Sequence, residues 1–185
     1  MAGVYFDSSV FTSIFKPEKE RARLVRDLLK ELKRNNVKIH TSIISVQECS
    51  VPAFRRGNLA KDYHAKINEL SSVHGITKTT AMTAAKLEAG IVDNAKEDQY
   101  KRRRKWDCFH VATAMELACT VLYTWDKEML GRGQQLGISG IEFLEPQPSN
   151  KELPFEEGNQ PKLALAAGAN GKDQKVQSKA QPETS

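Results

Sequence analysis

Short β-rich runs that alternate with helical patterns constrain this chain more than any other feature. The runs are VYF (4–6), VKIH (37–40), GITK (75–78), TVLYT (120–124) and IEFL (141–144). Between them lie SSVFTSIF, PEKERARLVRDLLKELKRNN, TSIISVQECSVPAF, NLAKDYHAKINELSSV, AMTAAKLEAGIVDNAKEDQY and DCFHVATAMELA, all with helical content or spacing. Strands separated by helices predict a parallel α/β sheet covered by helices on both faces.

Local signals place several boundaries. Ser8 or Ser9 is the expected N-cap of the first helix. The second helix opens with Pro17, carries acids early and bases late, and has an apolar stripe of Leu24, Val25, Leu28, Leu29 and Leu32. Thr41 and Ser42 read as the cap of the third helix, which Pro52 should stop or kink. The basic run KRRRK then leads into DCFHVATAMELA, with Asp107 expected in the first turn of that helix.

After Glu145 the texture changes to Pro, Gly, Gln, Asn, Ser and Lys. Residues 1–145 therefore read as one folded domain and 146–185 as a disordered polar tail. From Lys151 onward, 5 basic residues face 5 acidic ones, so the net charge of +5 sits in the first 150 residues. A basic folded domain suits a polyanionic partner. The three cysteines, Cys49, Cys108 and Cys119, form no CxxC pair, and the four histidines are scattered, which argues against a zinc site. No apolar run approaches a membrane span and the first residues lack a signal-peptide pattern, so the expected location is cytoplasmic.

Four acids stand at places where a parallel sheet builds ligand sites. Asp7 follows the first strand and Asp126 follows TVLYT, both at carboxyl ends of strands. Asp107 and Glu48 come from helices. Each has an ordinary explanation on its own: a turn for Asp7, a cap for Asp107, an Asx-turn for Asp126, a solvated helix face for Glu48. Together they would repel one another unless a cation joined them, and Mg²⁺ or Mn²⁺ prefers carboxylate oxygen and binds phosphate. Metal-assisted hydrolysis of a phosphodiester is the chemistry this favours. Asp7 and Asp107 are the first choice for direct ligands, with Asp126 direct or through water and Glu48 working through water. Ser8 and Thr124 would steady those carboxylates by hydrogen bonds.

VYFDSSVF, SVQE, KWDCFHVATAM and LYTWDKEM, in this order, resemble the motifs of PIN-domain ribonucleases, particularly the VapC-type toxins. The resemblance runs from about Val4 to Leu144. It implies a three-layer sandwich with a central parallel β-sheet flanked by helices, and a Mg²⁺- or Mn²⁺-dependent endoribonuclease site. Matched by position, the four acids of the family fall on Asp7, Glu48, Asp107 and Asp126, with Thr124 where a Ser or Thr often precedes the last acid. Glu128 stands where some members carry a further acid. The resemblance also implies an RNA substrate, a small antitoxin partner and a homodimer.

Of the basic residues, Arg103, Arg104 and Lys105 before Asp107, and Arg55 and Arg56 after the Glu48 helix, are candidates for RNA phosphates. Lys19, Arg21, Arg23 and Arg26 read as ordinary surface charge. His110, three residues after Asp107 and so on the same helical side, reads first as a buried histidine packed beside the site, with touching substrate or holding a carboxylate as the alternative, and Trp125 as a packed aromatic or a base-stacking one. Other readings are a PIN-type RNA-processing or DNA nuclease without an antitoxin, and a non-catalytic binding module. A HAD-like phosphotransferase would need an acid where Ser9 stands.

Overall fold

The computed structural model describes residues 3–15, 19–57, 60–91 and 98–148; the side chains of residues 60, 98–104, 132, 134 and 135 lie outside that description, as do Pro17 and residues 149–185 of the expected tail. The elements are β1 (Val4–Phe6), α1 (Ser8–Phe15), α2 (Lys19–Arg34), β2 (Ile39–Ser42), α3 (Ile43–Arg55), α4 (Ala60–Leu70), β3 (Ser72–His74), α5 (Lys78–Gly90), α6 (Asp98–Glu116), β4 (Val121–Tyr123), α7 (Lys127–Gln135) and β5 (Glu142–Leu144).

The five strands form one sheet in the order β3-β2-β1-β4-β5, and every pairing is parallel. Side chains of successive strand residues point to opposite faces. In the register Val4↔Val121, Tyr5↔Leu122 and Phe6↔Tyr123, the two central strands therefore serve two cores. Val4, Phe6, Val121 and Tyr123 pack with Val10, Phe11, Val25, Leu28 and Leu32 of α1 and α2. Tyr5 and Leu122 pack on the other face with Ala84 and Leu87 of α5, Val111 and Ala112 of α6, and Met129 of α7. The expected three-layer arrangement is what the chain adopts.

Several boundaries differ from the sequence-based expectation, and four have a clear local reason. Strand β2 is IHTS rather than VKIH, because Val37 N–H is used to close α2 on Leu32 O (2.9 Å), with Asn36 left-handed at φ 53°. Thr41 and Ser42 consequently lie in the strand, and Ser42 is also the expected N-cap of α3, though its side chain makes no cap hydrogen bond. Strand β3 is SVH rather than GITK, since Thr77 caps α5: its hydroxyl accepts Thr80 N–H (2.9 Å), and the Thr80 hydroxyl accepts Thr77 N–H in return (3.2 Å). Helix α3 continues through Pro52 for one more turn, which brings Ala53 to full burial.

The fourth difference bears on function. The basic run is not a lead-in to a helix but part of one: α6 begins at Asp98, so nine residues of helix precede Asp107. At its other end, Glu116 accepts the hydroxyls of Thr77 (2.9 Å) and Thr80, tying the end of α6 to the first turn of α5. Among the described residues, no helix is long and apolar enough to cross a membrane.

Candidate active site

The strand order reverses direction between β1 and β4, the place where open parallel sheets leave a crevice beyond their carboxyl ends. Asp7 leaves β1 there, and Thr124–Asp126 leave β4. Asp7 is only 3% exposed. Its Oδ1 accepts the backbone N–H of Ser9 (2.9 Å) and Val10 (3.2 Å), so Asp7, rather than Ser8 or Ser9, caps α1. Ser9 Oγ also donates to Oδ1 (2.6 Å), and Thr124 Oγ1 donates to Oδ2 (2.6 Å).

Thr124 joins the two strand ends. While it donates a hydrogen bond to Asp7, its hydroxyl oxygen accepts the N–H of Asp126 (2.9 Å). Asp126 in turn caps α7, its Oδ1 accepting Glu128 N–H at 2.8 Å. Ser9 makes a second tie, accepting Trp125 N–H at 2.8 Å. Trp125 is a packed aromatic: its indole N–H reaches Ser13 Oγ (3.4 Å) and the Arg21 guanidinium lies over its ring, 5.0 Å from the centroid.

The helical acids meet around an imidazole. Glu48 on α3 accepts His110 Nε2 at Oε2 (3.0 Å), and His110 Nδ1 is 2.8 Å from the Tyr5 hydroxyl. Asp107 lies one turn before His110 on α6 and is 8% exposed. An aspartate inside a helix is neither a cap nor a strong helix former, so capping does not account for its place there.

The titration of these groups follows from that geometry. Burial pushes Asp7 above the ordinary aspartate value, against the opposing charge of His110 and the hydrogen bonds of Ser9, Thr124 and Val10. Burial also opposes ionisation of Glu48, but the hydrogen bond and charge of His110, with a hydrogen bond from Ser8, outweigh it and hold Glu48 below its usual range. Burial disfavours the charged form of His110, yet Glu48, Asp7 and Asp107 together raise its pKa. His110 is thus the common electrostatic neighbour of three acids, and Thr124 links the fourth to Asp7.

With this geometry in view, the family model for the PIN domain matches residues 4–132. The chain belongs to the PIN domain family. Among solved structures it is similar to VapC20 of Mycobacterium tuberculosis, a sarcin-ricin loop cleaving toxin, at 16% identity and a TM-score of 0.56, over 79% of this chain and 100% of that one. It is also similar to DNA-bound VapBC from Salmonella typhimurium, at 16% identity and a TM-score of 0.50, over 78% of this chain and 98% of the other. At such identity the likeness is one of fold. A search of curated proteins gives no significant match.

The PIN fold accounts for how the predicted residues are distributed. Asp7 is held by Ser9, while Ser8 acts on Glu48, whose charged form it favours. Arg55 closes α3 seven residues after Glu48, on the same helical face and about 10 Å further along. Arg56 is the C-cap of α3. Lys105 is exposed and two residues before Asp107, which turns it to the opposite side of α6. Arg103 and Arg104 fall outside the described side chains.

Carboxylate and hydroxyl oxygens are the donor set that a hard divalent cation takes. Among the described residues, however, no group of three or more His, Cys, Asp and Glu side chains is gathered closely enough to hold a metal ion. Three of the acids stand in two hydrogen-bonded assemblies, Asp7 with Asp126 through Thr124 and Glu48 with His110, and Asp107 lies one helical turn from His110. The sequence offers no signal for Tyr5, marks Ser9 only as a helix cap, and leaves His110 first as a packing residue with holding a carboxylate as the alternative, which is what it does for Glu48. The spacing of three residues between Asp107 and His110, which puts both on one helical side, was the available signal.

Proposed function

We propose that this PIN domain is a metal-dependent endoribonuclease that hydrolyses RNA phosphodiester bonds. The observation that carries the reading is the buried Asp7, fixed at the sheet's switch point and tied to Asp126 through Thr124. A buried carboxylate whose pKa burial raises is one whose charged form is short of compensation, and a cation beside it would supply that compensation. Asp7, Asp107 and Asp126, with Glu48 directly or through water, would hold Mg²⁺ or Mn²⁺. When bound, such an ion supplies an acidified water and charge stabilisation for a phosphodiester.

The chain's own residues have separable tasks in this reading. Thr124 and Ser9 hold Asp7 with both oxygens oriented, while Glu48 orients the attacking water. The basic domain attracts the RNA backbone, with Arg55 and Arg56 as phosphate contacts on the α3 side. The likeness to the VapC20 toxin and to VapBC is the ground for reading the chain as a toxin of a type II pair silenced by a small antitoxin; a homodimer and a cytoplasmic location belong to the same proposal.

The test is cleavage of labelled structured RNA by the purified chain with Mg²⁺ or Mn²⁺, beside EDTA, an Asp107→Asn variant and a single-stranded DNA arm. We expect metal-dependent cutting of RNA that EDTA stops and that Asp107→Asn lowers by at least about a hundredfold, the scale of losing one charged transition-state contact. Cutting of DNA alone would reassign the substrate. No cutting of either, by a folded protein, would make the domain a binding module.

A further inference from the structure

We propose that His110 is a positioning residue of this site, holding Glu48 in one orientation through a buried line of hydrogen bonds that begins at Tyr5. The inference rests on the nuclease reading above.

Tyr5 is the middle residue of β1, the central strand, and has no exposed surface; His110 is 1% exposed. The Tyr5 hydroxyl lies 2.8 Å from Nδ1, and Nε2 lies 3.0 Å from Glu48 Oε2. An ionised glutamate has no proton to offer, so Nε2 must carry N–H and donate. In the neutral imidazole Nδ1 is then bare and the phenol O–H donates to it, which fixes the tautomer that can hold Glu48; in the protonated ring Nδ1–H donates to the phenol oxygen instead, and Nε2–H still donates to Glu48. Tyr5 thereby anchors the ring in either state. The rings meet edge to face, with centroids 5.8 Å apart at 64°, so packing fixes the plane of the imidazole as well.

Glu48 needs such support. Its side chain is 30% exposed, and a glutamate on a partly open helix face loses considerable rotamer entropy when it is held in one place. A bond to a rigid, buried ring removes that freedom before substrate arrives, which is how an outer group tunes a ligand. Strand β1 therefore contributes twice, carrying Asp7 at its end and orienting Glu48 from its middle.

Three variants test this: Tyr5→Phe, His110→Gln and His110→Phe. Each is measured for RNA cleavage, for Mn²⁺ binding by titration calorimetry without RNA, and for Tm. We expect His110→Phe to weaken Mn²⁺ binding and lower kcat by about tenfold or more, with KM for RNA unchanged. His110→Gln, whose amide N–H can replace Nε2, should recover part of both losses, and Tyr5→Phe should show a smaller fall of the same kind. Variants that lose Tm but keep wild-type kcat and Mn²⁺ affinity would overturn the proposal and leave His110 a packing residue. If His110→Phe does not fold, the other two decide by the same criteria. A wild type that neither cuts RNA nor binds Mn²⁺ would overturn the nuclease reading, and this inference with it; an active wild type with unaffected variants would overturn this inference alone.

Discussion

At the scale of single residues, Glu48 and His110 have opposite titration shifts and so give stability a window in pH. Glu48 is held below its ordinary 4.5, so its contribution is present above that value and is lost as pH falls through the lower folded value. His110 is raised above its ordinary 6.5, so its contribution is full below 6.5 and is lost as pH rises through the higher folded value. The pair therefore stabilises most between about pH 4.5 and 6.5 and less on either side. We expect Glu48→Gln to lower Tm most near pH 5.5 and least at pH 9; a difference that grows with pH in thermal melts would contradict this sign. Asp7 works the other way from Glu48. Burial raises its pKa, so the native state loses stability as pH rises from 3.8 through the folded value. A group that destabilises the fold when charged, yet stands at the switch point, is what a functional site retains at the expense of stability.

At the scale of elements, α6 shows where local signals stop being sufficient. The motif D…HVATA marks the residues that matter, but not where the helix begins, because Arg, Lys and Gln are good helix formers that also populate loops. The basic run that reads as a connector is helical, and this removes the capping explanation for Asp107. The same helix ends on Ala118 in the left-handed region at φ 51°, with Ala118 N–H on Met115 O (3.0 Å) and Cys119 N–H on Ala114 O (2.9 Å). A Cβ in that conformation costs about 1 kcal/mol, which glycine avoids. Ala118→Gly is expected to stabilise the domain by about that amount, less the added freedom of the unfolded chain, and denaturant titration would read it as a higher midpoint at unchanged slope.

At the scale of the whole molecule, two cores share one sheet, and the apolar stripe predicted on α2 is the clamp on one face. Val25, Leu28 and Leu32 are fully buried against Phe6, Phe11 and Tyr123, while Leu24 and Leu29 are only partly covered. Leu28→Ala should cost about 2–5 kcal/mol, the range for a fully buried leucine whose cavity does not collapse. Equilibrium unfolding measures it directly; a loss below 1 kcal/mol would mean that α2 packs loosely on the sheet. Because α1 and α2 form the wall behind Asp7, the same variant tests whether this core also holds the site in place, through kcat measured on the fraction that remains folded.

The alternation of strand and helix patterns was enough to establish a parallel sheet with helices on both faces, since period 2 and period 3.6 are written in the order of apolar residues. It was also enough to single out Asp7, Glu48, Asp107 and Asp126, because acids at strand ends and in a motif context are visible without coordinates. Tertiary structure decided the rest. Ser9 rather than Ser8 steadies Asp7, and Thr124 serves Asp7 and Asp126 at once, because β1 and β4 are neighbours only in the folded sheet. The line from Tyr5 through His110 to Glu48 spans 105 residues at one bond and 62 at the next. Such contacts depend on distances between elements, and these are fixed by packing rather than by any local propensity.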